Sequence, residues 1–385
     1  MRILQVIPVF SASFGGPVTV VRSISKELAK RHEVTIYTTT AVDKRHNFRS
    51  SAFEVVSDGC HVNYFPRVSV FGGFNVSPTM ARALKQSLRK YDVVHLHSWR
   101  HFQDLAVHHY ARKCRVPYVL QTHGSLPRIM AGRRLKWIYD GLFGYRLLRD
   151  ASKVIALSQT EAEQYMSMEV PEDKIEVIPN GIDLSEYSKL PPKGSFKKKL
   201  SLDNNEKIIL FLGRIHRIKG VDILIKAFAS INTKLENVKL VVAGPDDGYL
   251  YEVRALARTL GIGDKIAFVG PLHGVNKLEA YVDADFLVVP SLYEIFGIVI
   301  LEAYACGKPV IASRVMGPEE LVLDGKTGIL VNPGEINELT DAIELLLNDE
   351  SKTRIMGMNA RQFVTKNFDI EKIVNKIEIL YKETL

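Results

Sequence analysis

Two glutamates, Glu294 and Glu302, frame the stretch Glu294-Ile-Phe-Gly-Ile-Val-Ile-Leu-Glu302. The run before it, Phe286-Leu-Val-Val-Pro-Ser291, reads as a short buried strand ending in a turn. The run from Ile298 to Ala305 has no breaker and reads as a helix. One carboxylate then lies in the loop at a strand's carboxyl end, and the other about a turn and a half into the following helix. Between them Gly297 lets the backbone approach a ligand, and the helix start leaves free N–H groups near Gly297, Ile298 and Val299. Such a place can hold phosphate with two acids nearby for hydroxyl groups, the pattern of a sugar joined to a nucleoside diphosphate. The plainer alternative is that acids favour helix starts for dipole reasons alone, so the pair gains meaning from its company.

That company begins at Gly213-Arg214-Ile-His-Arg-Ile-Lys219-Gly220, which follows an apolar run and leads into a helix. Two cations at a glycine-flanked strand-to-helix turn can flank a diphosphate while the backbone comes close. A solvated basic loop is the competing reading. Gly15-Gly16 opens the first helix without Gly-x-Gly-x-x-Gly spacing, a poor match to a dinucleotide fingerprint. Asp283-Ala-Asp285 has the look of a metal motif, but it stands at the entrance to a strand, where acids commonly take backbone N–H groups. With Arg214 and Lys219 available, no metal and no cofactor are expected. His95, His97, His101, His108 and His109 lack a recognised zinc spacing. Of these, only His97, at a strand end, is expected to touch substrate.

The elements that must position these groups alternate short β-branched runs with longer helical patterns, an α/β arrangement of parallel sheets. Strands are predicted near Ile3–Pro8, Val34–Thr38, Val93–His97, Tyr118–Gln121 and Val154–Leu157, and then near Ile208–Leu212, Val238–Ala243, Ile266–Val269, Phe286–Val289 and Val310–Ala312. Helices near 17–30, 77–90, 100–113, 134–149 and 159–167 separate the strands of the first half. At 385 residues two domains are expected. The expected boundaries are 1–190, a Pro/Gly/Lys-rich linker at 191–204, 205–365, and an amphipathic C-terminal helix within 366–385.

Apolar residues make up 46% of the chain, and no run is long enough to cross a bilayer. The N-terminus reads as a first strand and not a signal peptide. Three scattered cysteines, Cys60, Cys114 and Cys306, argue for a reducing, cytoplasmic setting. The net charge of +8 is lopsided: residues 1–190 carry 26 Lys+Arg against 17 Asp+Glu, and residues 191–385 carry 25 against 26. Without a nucleic-acid motif, a phosphorylated acceptor or an anionic membrane is the expected partner of the basic half. The stretch Arg128–Arg149 mixes six cations with large apolar residues. It is read as a helix packed on the first sheet with a solvated basic face; the alternative is a segment lying on a membrane. The glycine-broken loop Phe65–Phe74 is a second candidate for covering an acceptor.

Together these residues resemble the retaining glycosyltransferases of family 4, glycosyl transferases group 1, of GT-B fold. The resemblance spans nearly the whole chain. It rests on Gly15-Gly16, Thr122-His123-Gly124, Ile178-Pro-Asn180-Gly181-Ile-Asp183, Gly213-Arg214, Lys219-Gly220, Gly244, the Glu294-to-Glu302 pattern with Phe296-Gly297, and the C-terminal helix. It implies two Rossmann-like domains with parallel sheets facing a central cleft, the last helix crossing back to the first domain.

It also implies roles. Arg214 and Lys219 neutralise the donor diphosphate, Glu302 holds the ribose, Glu294 meets sugar hydroxyls, and His123 lies beside the sugar. Gly16, Gly244, Phe296, Gly297, Ile298 and Val299 line the donor, with the base against the segment Phe268-Val-Gly-Pro271-Leu272. The expected acceptor-binding residues are Gly15, His97, Ser98, His123 and Asn180. The implied activity is metal-independent, retaining transfer of a hexosyl unit from a UDP- or GDP-sugar to a glycan acceptor, lipid-linked in the reading preferred here. The setting would be cell-surface polysaccharide or glycolipid synthesis, in the cytoplasm or at the inner membrane face, with no nucleic-acid partner. A sugar-nucleotide epimerase and a non-catalytic nucleotide-sugar scaffold are the alternatives.

Overall fold

A computed structural model describes residues 1–11, 15–41, 51–69, 75–128, 132–231 and 237–385. The chain divides into two compact units, Met1–Gly181 with Ile370–Leu385, and Ile182–Asp369.

The first unit is built on β1 (Arg2–Val9), β2 (Glu33–Thr39), β3 (Phe53–Ser57) and β4 (Cys60–Phe65). After a separate small ladder of β5 (Val68–Ser69) and β6 (Asn75–Val76) come β7 (Val93–Leu96), β8 (Tyr118–Gln121), β9 (Lys153–Ala156) and β10 (Ile175–Val177). The eight-stranded sheet has the order β10-β9-β8-β7-β1-β2-β4-β3. Its neighbours are parallel except for the β3–β4 hairpin. Both faces are covered, so its central strands are apolar on both sides. Leu4, Val6, Val94, Leu96 and Leu120 enter one core, while Ile3, Ile7, Val93, Val119 and Ile155 enter the other.

The helix Ile370–Thr384 completes that second core. Its Ile370, Ile373, Val374, Ile377, Leu380 and Tyr381 recur at helical spacing and are all buried there. Burying each such side chain contributes about 1.5–3 kcal/mol. Glu378, nearly buried on the same helix, accepts from Arg31 at 2.7 Å and meets His32 at 2.5 Å. The C-terminal segment is thus an integral layer of the first unit.

The second unit has β11 (Lys207–Leu212), β12 (Val238–Ala243), β13 (Ile266–Gly270), β14 (Phe286–Val289), β15 (Val310–Ser313) and β16 (Gly328–Val331). Every neighbouring pair is parallel, in the order β13-β12-β11-β14-β15-β16. The winding direction reverses between β11 and β14, and in the first unit between β1 and β7. Crevices at the carboxyl ends of strands flanking such a reversal are where doubly wound sheets bind ligands.

Several expectations need correction. The β3–β4 hairpin, β10 and β16 were not anticipated; β3 and β10 are edge strands with much exposed side-chain surface, which blurs the buried-strand pattern. Residues 191–204 lie inside the second unit, which begins at Ile182. Their short helix Ser195–Lys199 is fastened by Asp283, which accepts from the N–H groups of Gly194, Phe196 and Lys197 at 2.5, 2.7 and 3.0 Å. Residues 366–369 belong with the second unit, and the returning helix begins at Ile370. Among the described residues no helix is long and apolar enough to cross a membrane.

Candidate active site

The second unit brings most of the predicted donor residues to the carboxyl ends of four strands. Gly213 and Arg214 follow β11, Gly244 follows β12, Pro271 and Leu272 follow β13, and Glu294 lies in the loop after β14. Two contacts lock these turns together. The Leu292 N–H donates to the Ile218 carbonyl at 2.8 Å, joining the loop after β14 to the turn holding Lys219. Gly244 donates to the Gly270 carbonyl at 2.8 Å, and a Cβ there would fall 1.8 Å from the Gly213 carbonyl oxygen, so no other residue fits.

Each cation is parked against a carboxylate. Arg214 donates to Asp247, whose neighbour Asp246 caps the next helix through the N–H groups of Gly248, Tyr249 and Leu250. Lys219 donates to Glu294. Arg214 remains about half exposed, whereas Lys219 and Glu294 are largely buried.

Gly297, at φ +82°, caps the helix Ile298–Ala305 in a left-handed conformation that suits glycine. Ile298 and Val299 are half-buried at its first turn. Glu302 is almost fully buried, with Lys277 at 2.7 Å on one oxygen and the Tyr281 hydroxyl at 2.9 Å on the other. Phe296 differs from expectation. Its ring is buried edge-on to Phe368, so it can offer a donor backbone but not an aromatic face.

Sequence reasoning missed Asp247, Lys277 and Tyr281. The last two stand four apart on the helix Gly274–Asp283, a spacing that puts them on one face, but nothing local aims that face at Glu302. The second acid of the Asp-x-Asp run, Asp285, accepts from the Ile208 N–H at 2.7 Å, so both acids serve backbone amides. Among the described residues no three His, Cys, Asp or Glu side chains converge as a metal site requires.

The first unit places the other candidates at the ends of its strands. Gly15, at φ +73°, precedes the helix Gly16–Leu28 after β1; residues 12–14 lie outside the described residues. His97 and Ser98 follow β7, and His123 follows β8 with a left-handed backbone at φ +49°, a strained state that clusters at functional sites. The turn Thr122-His123-Gly124 is held from beneath by the buried Glu161. This carboxylate accepts from the Thr122 hydroxyl at 3.0 Å, the Gly124 N–H at 2.6 Å and the Leu157 N–H at 2.7 Å. Ser98 is buried and donates a hydrogen bond to Asp104. Asn180 is buried, its Oδ1 without a partner.

His97 is also buried, and through Gln5 and Tyr381 it links His123 to the C-terminal helix. The Tyr381 hydroxyl lies 2.7 Å from His95 Nδ1 and accepts from Gln5 Nε2 at 3.2 Å. That fixes the Gln5 oxygen toward His97 Nε2, 2.5 Å away, so His97 carries its proton on Nε2. His97 Nδ1 then accepts from His123 Nε2 at 3.1 Å, leaving His123 Nδ1 as an acceptor. Burial holds all three imidazoles neutral: His95 is pushed down to about 3, His123 to about 4, and His97 well below the usual histidine range.

This arrangement has a measurable consequence. The unfolded chain protonates these histidines near pH 6.5 and the folded chain does not, so stability is full above about pH 6.5 and falls as pH drops toward 4. The slope is up to about 1.4 kcal/mol per pH unit for each histidine. Burial raises the carboxyls of Asp104 and Glu161, which act in the opposite sense at low pH. The histidine share is therefore read by difference, comparing urea midpoints at pH 7.5, 6.0 and 5.0 for wild type and His123→Gln. A shallower fall in the variant is expected; parallel slopes would contradict a buried neutral His123.

Residues 14–186 match the family described as Glycosyltransferase Family 4, and residues 192–363 match Glycosyl transferases group 1. An uncharacterized glycosyltransferase of Methanocaldococcus jannaschii is 33% identical over 308 residues, 76% of this chain and 75% of that protein. The D-inositol 3-phosphate glycosyltransferase of Nocardia farcinica is 32% identical over 299 residues, 74% of this chain and 65% of that longer protein. Anabaena HepE, crystallised with UDP and glucose, superposes with a TM-score of 0.81 at 23% identity, over 100% of both chains. The two doubly wound units with these strand-end clusters define a glycosyltransferase of GT-B fold. The chain belongs to the glycosyltransferases of family 4, group 1.

Proposed function

We propose that this enzyme transfers a hexosyl unit from a UDP- or GDP-sugar to a phosphate-bearing acceptor, with retention at the anomeric carbon and without a metal ion. The observation that carries the reading is the pairing of Arg214 with Asp247 and of Lys219 with Glu294 at strand ends flanking the β11/β14 reversal. The diphosphate replaces the carboxylate partners of both cations. Lys219 passes from Glu294 to phosphate, and Glu294 turns to the sugar hydroxyls that arrive with it. Backbone N–H groups at the start of the helix Ile298–Ala305 add to the anion site. Glu302, oriented by Lys277 and Tyr281, accepts from the ribose, and the base lies by Pro271 and Leu272.

Breaking the sugar–phosphate bond places negative charge on the leaving diphosphate and positive character on the ring. Fixed cations on the leaving group lower that barrier, which removes the need for a metal. The reaction keeps the anomeric configuration through attack on the face the phosphate leaves, the phosphate taking the acceptor's proton. Neutral His123, with Nδ1 free to accept, orients a sugar hydroxyl.

The acceptor is assigned to the first unit, near Gly15, His123 and Asn180. The 26 to 17 excess of cations over anions in residues 1–190 favours an acidic acceptor, free or lipid-linked. The name of the Nocardia relative, which includes a phosphorylated inositol, is in keeping with this. Cell-surface glycan or glycolipid synthesis is the process this chemistry serves. The test supplies UDP- and GDP-hexoses in EDTA with inositol phosphate and polyprenyl-phosphate-linked acceptors, and reads the product's anomeric proton coupling. Retention in EDTA is expected. Inversion, or loss of transfer on chelation, would contradict the reading, and donor isomerised without any acceptor would point to the epimerase.

A further inference from the structure

The segment expected to pack on the first sheet does so with only part of its apolar residues. Residues 133–150 run as a helix (Arg133–Tyr139), a wide turn (Asp140–Gly144) and a second helix (Tyr145–Asp150). The buried side combines polar, small and apolar groups. Asp140, fully buried, is gripped by Arg100 at 2.9 and 2.8 Å and by Arg128 at 2.7 Å. A Cβ on Gly144 would stand 3.2 Å from the Trp99 ring, and Leu147 and Leu148 fill the core beside it. Leu135, Ile138 and Leu142, at spacings of three and four, are left outward with Trp137 and Phe143, each 44–66% exposed. Residues 129–131 lie outside the described residues.

Two of the six cations in this stretch, Arg100's companion Arg128 and the half-buried Lys136, face inward or aside. Arg133, Arg134, Arg146 and Arg149 are exposed in the same segment, Arg146 with Asp150 at 3.7 Å. Large apolar side chains and arginines exposed together on a helical segment are the pattern of an element that lies in a bilayer interface, and tryptophan favours that depth. We propose that this face seats the enzyme on an anionic lipid surface. Charge decides the occupant: a second copy would oppose Arg133, Arg134 and Arg149 to the same arginines, whereas anionic headgroups neutralise them. The net excess of cations in residues 1–190 supports the same approach. The inference goes beyond the transfer reading and does not depend on it.

The chain has two tryptophans, and Trp99 is buried, so a change in emission on binding reports Trp137. The full chain, with neither donor nor acceptor, is mixed with vesicles of 30% phosphatidylglycerol in phosphatidylcholine, or of phosphatidylcholine alone. We expect a blue shift and at least tenfold more co-sedimentation with the anionic vesicles. Leu135→Ser/Leu142→Ser should reduce sedimentation at least tenfold while the melting temperature stays near wild type. Arg133→Glu/Arg134→Glu should remove the preference for anionic lipid. Absent or equal binding to both vesicles would overturn the proposal. So would a wild-type dimer that the serine variant dissociates, since a second copy would then cover the face.

Discussion

Arg214→Ala is expected to lower kcat by about 100- to 1,000-fold at saturating acceptor while leaving the fold intact. The magnitude is that of losing one preorganised group on charge that grows in the transition state, about 3–4 kcal/mol. The loss is separable from stability because Arg214 is half exposed and its pair with Asp247 lies at the surface, where such a pair contributes at most about 1 kcal/mol. Its anchor is rigid: Gly213 is held to β12 by the Ala243 carbonyl at 3.0 Å, and Ile215 to the Pro245 carbonyl at 2.9 Å. Steady-state kinetics with urea unfolding of the same variant check this. A large drop in the urea midpoint alongside the lost rate would reassign Arg214 to a structural part.

Glu294→Ala is expected to abolish transfer, by 100-fold or more, without weakening nucleoside diphosphate binding. The two effects separate because Glu294 faces both ways. In the free enzyme it holds Lys219, and with donor bound it is assigned to the sugar. Removing it frees Lys219 from a competing carboxylate, so affinity for UDP or GDP alone should hold or rise while the sugar loses its hydroxyl partner. Calorimetric titration with the nucleotide, set beside turnover of the nucleotide sugar, reads the split. Transfer near the wild-type rate would remove Glu294 from the machinery.

The parts of this site legible from sequence are those that a strand and its following turn carry together. Gly213-Arg214, Lys219-Gly220 and Glu294 through Glu302 each sit where an apolar run ends, so their types and local element already imply a strand-end ligand site. The parts that were not legible depend on distant segments. Gln5 and Tyr381 are 376 positions apart yet meet through a hydrogen bond, and this contact sets the proton positions on His97 and His123. Lys277 and Tyr281 reach Glu302 only because two helices pack. His97 and Ser98 were read as acceptor-binding because they end a strand; that they are buried, His97 against Gln5 and His123 and Ser98 against Asp104, depends on segments far away in sequence and was not legible. The segment at 133–150 was legible in part: Leu147 and Leu148 pack into the first unit's core and Arg133, Arg134, Arg146 and Arg149 stay exposed, but the outward turn of Leu135, Trp137, Ile138, Leu142 and Phe143 was not. Its apolar residues are as periodic as a core helix's, and distant contacts, the ion pairs of Asp140, the close approach of Gly144 to Trp99 and the core around Leu147 and Leu148, set which side turns inward. The loop at Phe65–Phe74 falls partly outside the described residues, at 70–74.

The central claim is that Arg214 and Lys219 hold a nucleoside diphosphate without a metal, and thermal unfolding in EDTA tests it most directly. Wild type and Arg214→Ala are melted alone and with UDP, GDP, ADP and their hexose conjugates. At a hundredfold excess over the dissociation constant the favoured nucleotide should stabilise wild type by about 2.7 kcal/mol, and the variant far less. No protection by any nucleotide in EDTA, with protection restored by magnesium or manganese, or equal protection of the variant, would contradict the account.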